Sequence, residues 1–392
     1  MIGWPFQPDW GSPYVERYSY LTEVLVSDAG REQRRAYRGT SRRSLEYDIR
    51  VHGDRFRALR RTLATRQGEP LAFANERFIA RSATGQNIGS ANVTLAGSIP
   101  PWATSGRRVL IRDLAGLRAE GRTVHSTSGT TITFTGAATE IWPEGSTLHP
   151  GFIGTLAQSL THTAPTSEVL ALSVALDIEP GSTVDLPGVA PTTFASREVL
   201  SHRPNWASAL SMEATDPTVY VDQGMGVRAT FRPIDFGTTV RRQTHVIQND
   251  ADLNATLGLF QRMKGRRGEF YAPTHTRDIV LSGNVASGSR DWPIAGLDFH
   301  AAYAGDTVHR AFQVRLRSGA IHYFRVDQVL TSGSNSILRS VEAAPITFSP
   351  SAIQSISWMP VCRFASDDLV VSWRTSTIGE TTLNIQTLET LS

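Results

Sequence analysis

The sequence predicts a mainly β fold, of β-sandwich or small-barrel type, built from a duplicated unit with one helix per repeat. Three observations lead there. Short runs of alternating apolar and polar residues recur between Gly, Ser, Asn or Pro, as strands joined by tight turns require. Only two stretches carry helical spacing of apolar residues. A motif near residue 66 returns near residue 266, accompanied by further echoes at a nearly constant separation.

The first half opens its strands with Ser44 to Val51, "SLEYDIRV". Asp54 to Arg66 then reads as a helix, because Phe56, Leu59 and Leu63 share a face and Asp54 suits its first turn. It runs into "RQGEPLAFANERF", Arg66 to Phe78. Strands are expected at Arg107 to Asp113, Thr130 to Phe134 and Glu168 to Ile178. The Pro- and Gly-rich segment Ile178 to Thr193 reads as the linker.

The second half repeats this plan. Strands are expected at Thr218 to Gln223 and Gly226 to Pro233, and a helix from Asp250 to about Lys264, with Leu253, Leu257 and Phe260 on one face. That helix runs into "RRGEFYAPTHTRD", Arg266 to Asp278. Strands His322 to Leu330 and Asp368 to Trp373 follow.

The echo extends past the motif. Asn92–Gly97 matches Asp291–Gly296, and Gly106 with Val109 matches Gly305 with Val308, all at an offset of 199. "TSGTTITF", Thr127 to Phe134, matches "TSGSNSILR", Thr331 to Arg339, at 204 to 205. These matches divide the chain into halves 1–200 and 201–392, each expected to be a domain with its own core. β-rich insets are expected at about 85–155 and 280–350.

Composition narrows the function classes. Apolar residues are 40% and charged residues 19%, which suits a packed globular chain rather than a disordered one. Charge is nearly balanced, with 39 basic against 36 acidic residues, and Lys264 is the only lysine. A free-standing nucleic-acid binder would be more one-sided. Cys362 is the single cysteine, so no intrachain disulfide and no cysteine metal cage can form. The N-terminal residues do not read as a signal peptide, and the longest apolar run, around Val169 to Leu176, is too short to span a bilayer. The expectation is a soluble protein made in a cytoplasm, without membrane insertion.

Motif-bearing chemistry is scarce. "GMGVRA", Gly224 to Ala229, fits the dinucleotide pattern in letters, but strand-like residues follow where a helix is needed. "GQNIGS", Gly85 to Ser90, lacks the lysine of a phosphate loop. His245 and His275 flank the second helix, yet no HExxH spacing occurs and no GxSxG elbow exists. Asp367 and Asp368 are adjacent and so face opposite ways on a strand. No catalytic, cofactor-binding or metal-binding residue is expected. The recurring residues are Arg66, Gly68, Glu69 and Arg77 in the first copy and Arg266, Gly268, Glu269 and Arg277 in the second. Because the surroundings diverge while these recur, they read as structural: an Arg–Glu pair tying a helix end to a sheet. Gly68 and Gly268 stand where helix-terminating glycines belong.

"KGRRGEFYAPTHTRD", Lys264 to Asp278, following a helix, resembles the distal tail proteins of long-tailed phages and gene-transfer agents. That family carries a segment like "ARRGxxxGFRF" before an Asp-containing turn. "TRQGEPLAFANERF", Thr65 to Phe78, is the more distant copy, with Gln67 in place of the second arginine, and neither copy has the glycine before the aromatic pair. The resemblance covers about 30 residues per half. It implies two tandem tail-tube-like halves in a tail tip or baseplate protein of the virion. Such a protein forms a ring with itself, as a trimer by preference or a hexamer. The ring joins the tail tube to hub proteins, and DNA meets it only in transit. Two other classes remain open. One is a carbohydrate- or receptor-binding module using Trp102, Trp142 and Trp292; the other is a tail-associated cell-wall hydrolase.

Overall fold

The computed structural model describes residues 1–27, 31–66, 68–181, 186, 188–207, 209–215, 218–221, 224, 226, 229–231 and 237–388. The chain is mainly β. Its first half contains β1 (Tyr14–Ser19), β2 (Thr22–Val26), β3 (Glu32–Ala36), β4 (Arg42–His52), α1 (Asp54–Arg66), β5 (Leu71–Ala74), β6 (Ala80–Arg81) and β7 (Asn92–Thr94). It continues with β8 (Arg108–Arg112), β9 (Ala119–Ser128), β10 (Thr131–Thr135), β11 (Thr147–Leu156), β12 (His162–Thr166), β13 (Val169–Ile178) and β14 (Thr193–Phe194).

The second half begins a few residues before the expected boundary at 201, and contains β15 (Arg197–Val199), β16 (Ser211–Thr215), β17 (Val219–Val221), β18 (Ala229–Phe231) and β19 (Thr238–Ile247). A helical stretch follows, made of α2 (Asp250–Leu253), a π-helical turn (Asn254–Gly258) and α3 (Leu259–Met263). Then come β20 (Phe270–Tyr271), β21 (Asp291–Ile294), α4 (Asp298–Tyr303), β22 (Ala311–Leu316), β23 (Ile321–Ser332) and β24 (Asn335–Ser340). The last strands are β25 (Ile353–Trp358), β26 (Val361–Phe364), β27 (Asp368–Trp373) and β28 (Gly379–Thr387).

Each half is a sheet carrying a small barrel. In the first sheet β5 pairs with β11, β11 and β12 with β13, β13 with β4, and β4 with β1. In the second, β20 pairs with β26, β26 and β27 with β28, β28 with β19, and β19 with β16. The two lists have the same topology. The first barrel runs β6–β11–β8–β9–β10–β7 and closes through a Ser82–Leu95 bridge. The second runs β25–β22–β23–β24–β21 and closes through Leu281–Ile294, with the Asp278 amide donating to the Ile356 carbonyl at 3.0 Å.

Register makes the equivalence exact at residue level. Val15 faces Glu46 across β1 and β4, and Ser211 faces Arg242 across β16 and β19, each 196 residues further on. The hairpin β2–β3 pairs Val24 with Arg34, and β17–β18 pairs Tyr220 with Thr230, again 196 apart. Even the strand entry recurs: the Trp4 amide donates to the Ala72 carbonyl at 2.7 Å, and the Leu200 amide to the Tyr271 carbonyl at 2.8 Å. After the helix the offset rises to 199, as between the Ser82–Leu95 and Leu281–Ile294 bridges. The second helical stretch is longer because a π turn and a 3-10 turn at Gly265–Arg267 insert residues that α1 lacks.

The barrels have separate cores. Val93, Ile132, Phe134 and Trp142 fill the first. Trp292 fills the second, edge-on to Phe312 at 5.2 Å and to Phe324 at 4.8 Å. The sheets do not. One core runs from Trp4 and Tyr18 through Leu59 and Val174 to Phe260, Trp373 and Ile385. This corrects the expectation that the halves 1–200 and 201–392 have a core each. The reason lies in β1, which pairs with β4 on one edge and with β27 of the second half on the other. Apolar residues of both sheets therefore meet on one face.

Candidate functional site: the joint between the halves

The joint starts from β1. Its sequence YVERYS buries alternate residues, Tyr14, Glu16 and Tyr18, as an interior strand does. Its outer edge runs antiparallel to β27 from Tyr14 opposite Trp373 to Ser19 opposite Asp368. Glu16 is 1% exposed and accepts from the Tyr18 hydroxyl at 2.6 Å. Burial first, and Glu16 second, push the Tyr18 phenol well above its ordinary pKa, so it stays a donor.

Above this seam the hairpin β2–β3 lies on the turn that follows the second helix. Arg34 donates to the Arg267 carbonyl at 3.0 Å and pairs with Glu269. Glu32 receives two bonds from Arg363, at 2.7 and 2.8 Å, with both side chains almost wholly buried. Asp367 is the hinge point: its carboxylate accepts from the Thr22 amide at 2.6 Å and the Arg266 amide at 2.9 Å. Tyr20 adds a bond to Gln261 at 2.7 Å. Arg77 of the first half lies over the Trp373 ring of the second, 3.5 Å from its centre.

The Arg–Gly–Glu part of the recurring motif thus sits at the joint in its second copy but not in its first, whereas of the two later arginines it is Arg77 of the first copy that reaches the joint. Arg66 bonds Glu69 at 2.9 Å on the exposed end of α1, within one turn. Glu269 meets Arg34 and, at 3.3 Å, Arg197; Arg266 contributes its backbone amide to Asp367. The Arg–Glu tie between helix end and sheet is therefore corrected. In the first copy it is local, and in the second the glutamate reaches other arginines. The glycines differ too. Gly68 has φ +88°, the left-handed value of a helix-ending residue, whereas Gly268 has φ −84°. Lys264 and Gly265, at φ 54° and 65°, end the second helix instead. Gly268 is required by space, since a Cβ there would sit 2.6 Å from Met263 Sδ. Arg277 donates to the Gln354 carbonyl at 3.3 Å, far along the second barrel from these contacts.

Other expected features resolve as follows. Trp142 and Trp292 are not exposed binding faces: they are 1% and 0% exposed, donating to Glu120 at 3.3 Å and to Ser340 at 3.0 Å. Trp102 is partly buried against the first barrel's core. It lines a groove of about 780 Å³ together with Arg77, Arg107 and Asp250. His245 is buried beside His202, ring centres 5.2 Å apart. Burial, then the charge of His202, pushes the pKa of His245 down to about 3. Burial, then Arg241, His245, Arg315 and Arg203, does the same for His275. Among the described residues no group of three His, Cys, Asp or Glu side chains is arranged to hold a metal. Half of "GMGVRA" falls outside the described residues; its Ala229 begins a strand. No helix among the described residues is long and apolar enough to cross a membrane.

What sequence reasoning missed is the joint itself. Glu32, Arg34, Arg363 and Asp367 have no local pattern that marks them. One signal was present: "PDW" at Pro8–Trp10 and "PNW" at Pro204–Trp206 repeat at the same offset of 196 that aligns the first strands. No protein-family model matches the chain, and no curated protein matches it.

Proposed function

We propose that this chain is a non-enzymatic structural component of a phage tail tip or baseplate, forming a ring that continues the tail tube and joins it to hub or host-binding proteins. The observation that supports this reading most is the duplication: two units of one topology, set side by side through β1 and β27. A ring needs many copies of one contact, and a chain that already contains two units supplies half of those contacts covalently. Three copies would present six quasi-equivalent units, and so match a six-fold tube on one face. Near-balanced charge suits a channel through which DNA slides, because dense phosphate contacts would hold it.

The experiment is to purify the particles made by the strain that encodes this chain and locate it within them by gold-labelled antibody. Label at the tail tip in intact particles is the expected result. Its absence from particles, or a scattered distribution, overturns the proposal.

A further inference from the structure

The two strands of the joint within the chain each have a counterpart at an end of the sheet, and among the described residues each counterpart pairs along one edge only. β1 is matched by β16, and β27 by the segment 159–164. The second match follows from the ladders: Val371 faces Thr381 as His162 faces Leu172, with Ile247 on Gly379 and Val51 on Leu170 fixing the offset at 209. Inside the chain β1 and β27 cover one another. Among the described residues β16 pairs only with β19, and β12 only with β13. All five residues of β16 are exposed, Met212 by 61%, where its equivalent Glu16 is buried.

The hairpins show the same imbalance by an independent route. β2–β3 covers the turn after the second helix through Arg34 and Glu269. The equivalent hairpin β17–β18 holds Tyr220 and Phe231 each 64% exposed. The turn after α1, which corresponds to the covered one, leaves Arg66 and Glu69 about half exposed and open space around Gly68. A donor edge with its hairpin lies at one end, and an acceptor edge with its turn at the other.

The geometry points to a second copy of this chain as the occupant. We infer that β16 of one copy pairs antiparallel with residues 159–164 of the next, in the register of β1 with β27. The β17–β18 hairpin then rests on the next copy's Arg66–Glu69 turn. The operation that carries the first half onto the second inside a chain is simply applied once more, giving a heterologous contact that closes a ring or extends a filament. In this register Ser211 faces Thr163 and Met212 faces His162, as Val15 faces Ser372 and Glu16 faces Val371. Pro165, which has no amide hydrogen, falls just outside the paired segment. The inference rests on the duplication and not on the tail-tip reading.

Paired cysteines test it. Adjacent pairs on an antiparallel ladder alternate between close and wide Cα spacing, so one of S211C/T163C and M212C/H162C should suit a disulfide. The edges are separated within one chain by seven strand spacings, about 34 Å along the sheet. A bond must therefore join two chains. Oxidised purified protein should give a ladder of multiples for one of these pairs, and only monomer for the register-shifted control S211C/T161C. Met212→Lys is exposed in the free chain and should leave folding intact by circular dichroism while reducing the solution mass to that of a monomer. Equal cross-linking in the shifted control, dimers from S211C alone, or unchanged mass in Met212→Lys overturns the inference. In-register ladders from a protein absent from particles would keep this inference and remove the tail-tip reading. A tip-located protein without in-register cross-links would do the reverse.

Discussion

Glu32→Gln should loosen the joint without unfolding the chain. Glu32 holds Arg363 through two bonds of 2.7 and 2.8 Å, and both side chains are nearly shielded from water. Neutralising one partner of such a pair leaves the other charge buried and uncompensated, at a cost of about 3 kcal/mol. Arg363 keeps a bond to the Phe364 carbonyl at 2.9 Å, which favours the low end of the usual range. The nearest element free to release that strain is the two-stranded hairpin β2–β3, which among the described residues is paired only with itself and held by side chains. Opening should therefore become about 100-fold more frequent, since each 1.4 kcal/mol is tenfold. Hydrogen exchange followed by mass spectrometry over the hairpin reads this directly, with the second barrel as internal reference. The double variant Glu32→Leu with Arg363→Met removes both charges and should restore most of the protection. Unchanged exchange in Glu32→Gln, or no recovery in the double variant, would show that the ion pair does not hold the hairpin.

Three further outcomes can be checked by thermal or denaturant unfolding. Gly268→Ala should destabilise by about 1–3 kcal/mol, because its Cβ would meet Met263 at 2.6–2.8 Å, a close contact with backbone as well as sulfur. Gly68→Ala should cost only about 1 kcal/mol, from its left-handed backbone, since nothing lies within 4 Å of the added carbon. Trp292→Ala should cost about 3–5 kcal/mol and act on the second barrel first, since its ring contacts Phe312, Phe324 and Phe348. Stability should also fall as pH drops below about 6.5. His149, His245 and His275 have folded pKa values lowered to about 4, 3 and 3, mainly by burial, so the unfolded chain binds more protons throughout the window from about 6.5 down to 3. Replacing His202 with Phe and His245 with Ile, the residues at the matching positions 6 and 49, should flatten that slope; an unchanged acid limb would refute the assignment.

Much of the fold was legible because its signals are local. α1 matches the expected span, and the second helical stretch begins at Asp250 and ends within one residue of Lys264. Asp368–Trp373 is a strand over its whole expected length. The echoes near 199 and 204 fall on the two barrels, where hairpin turns such as Gly129 and Gly333 need a left-handed backbone and so preserve the residue type. The joint was not legible, for a physical reason. Pairing of β1 with β27 joins residues more than 340 positions apart, and nothing in either strand names its partner. α4 was missed because six residues are too few for periodicity to show.

The divergence between the two units bears on how the joint works. Where the first unit has Leu45, Tyr47 and Ile49 on its buried face, the second has Arg241, Gln243 and His245, all buried. Arg241 is accommodated by the Pro273 and Ala272 carbonyls at 3.1 and 2.8 Å. The apolar side chains of the first unit need only burial, whereas the Arg241 guanidinium needs those two carbonyls held in place. The charged clamp follows the same asymmetry. Arg34 and Arg363 on the covered hairpin and its seat correspond to Thr230 and Thr155 at the open ends, with Glu69 alone retained opposite Glu269. The contact inside the chain therefore combines strand pairing with buried ion pairs. A contact of the same shape between chains would rest on strand pairing and on Tyr220 and Phe231. Neutralising Glu32 and placing a lysine at Met212 should then be separable: the first loosens the joint within a chain, and the second acts only between chains.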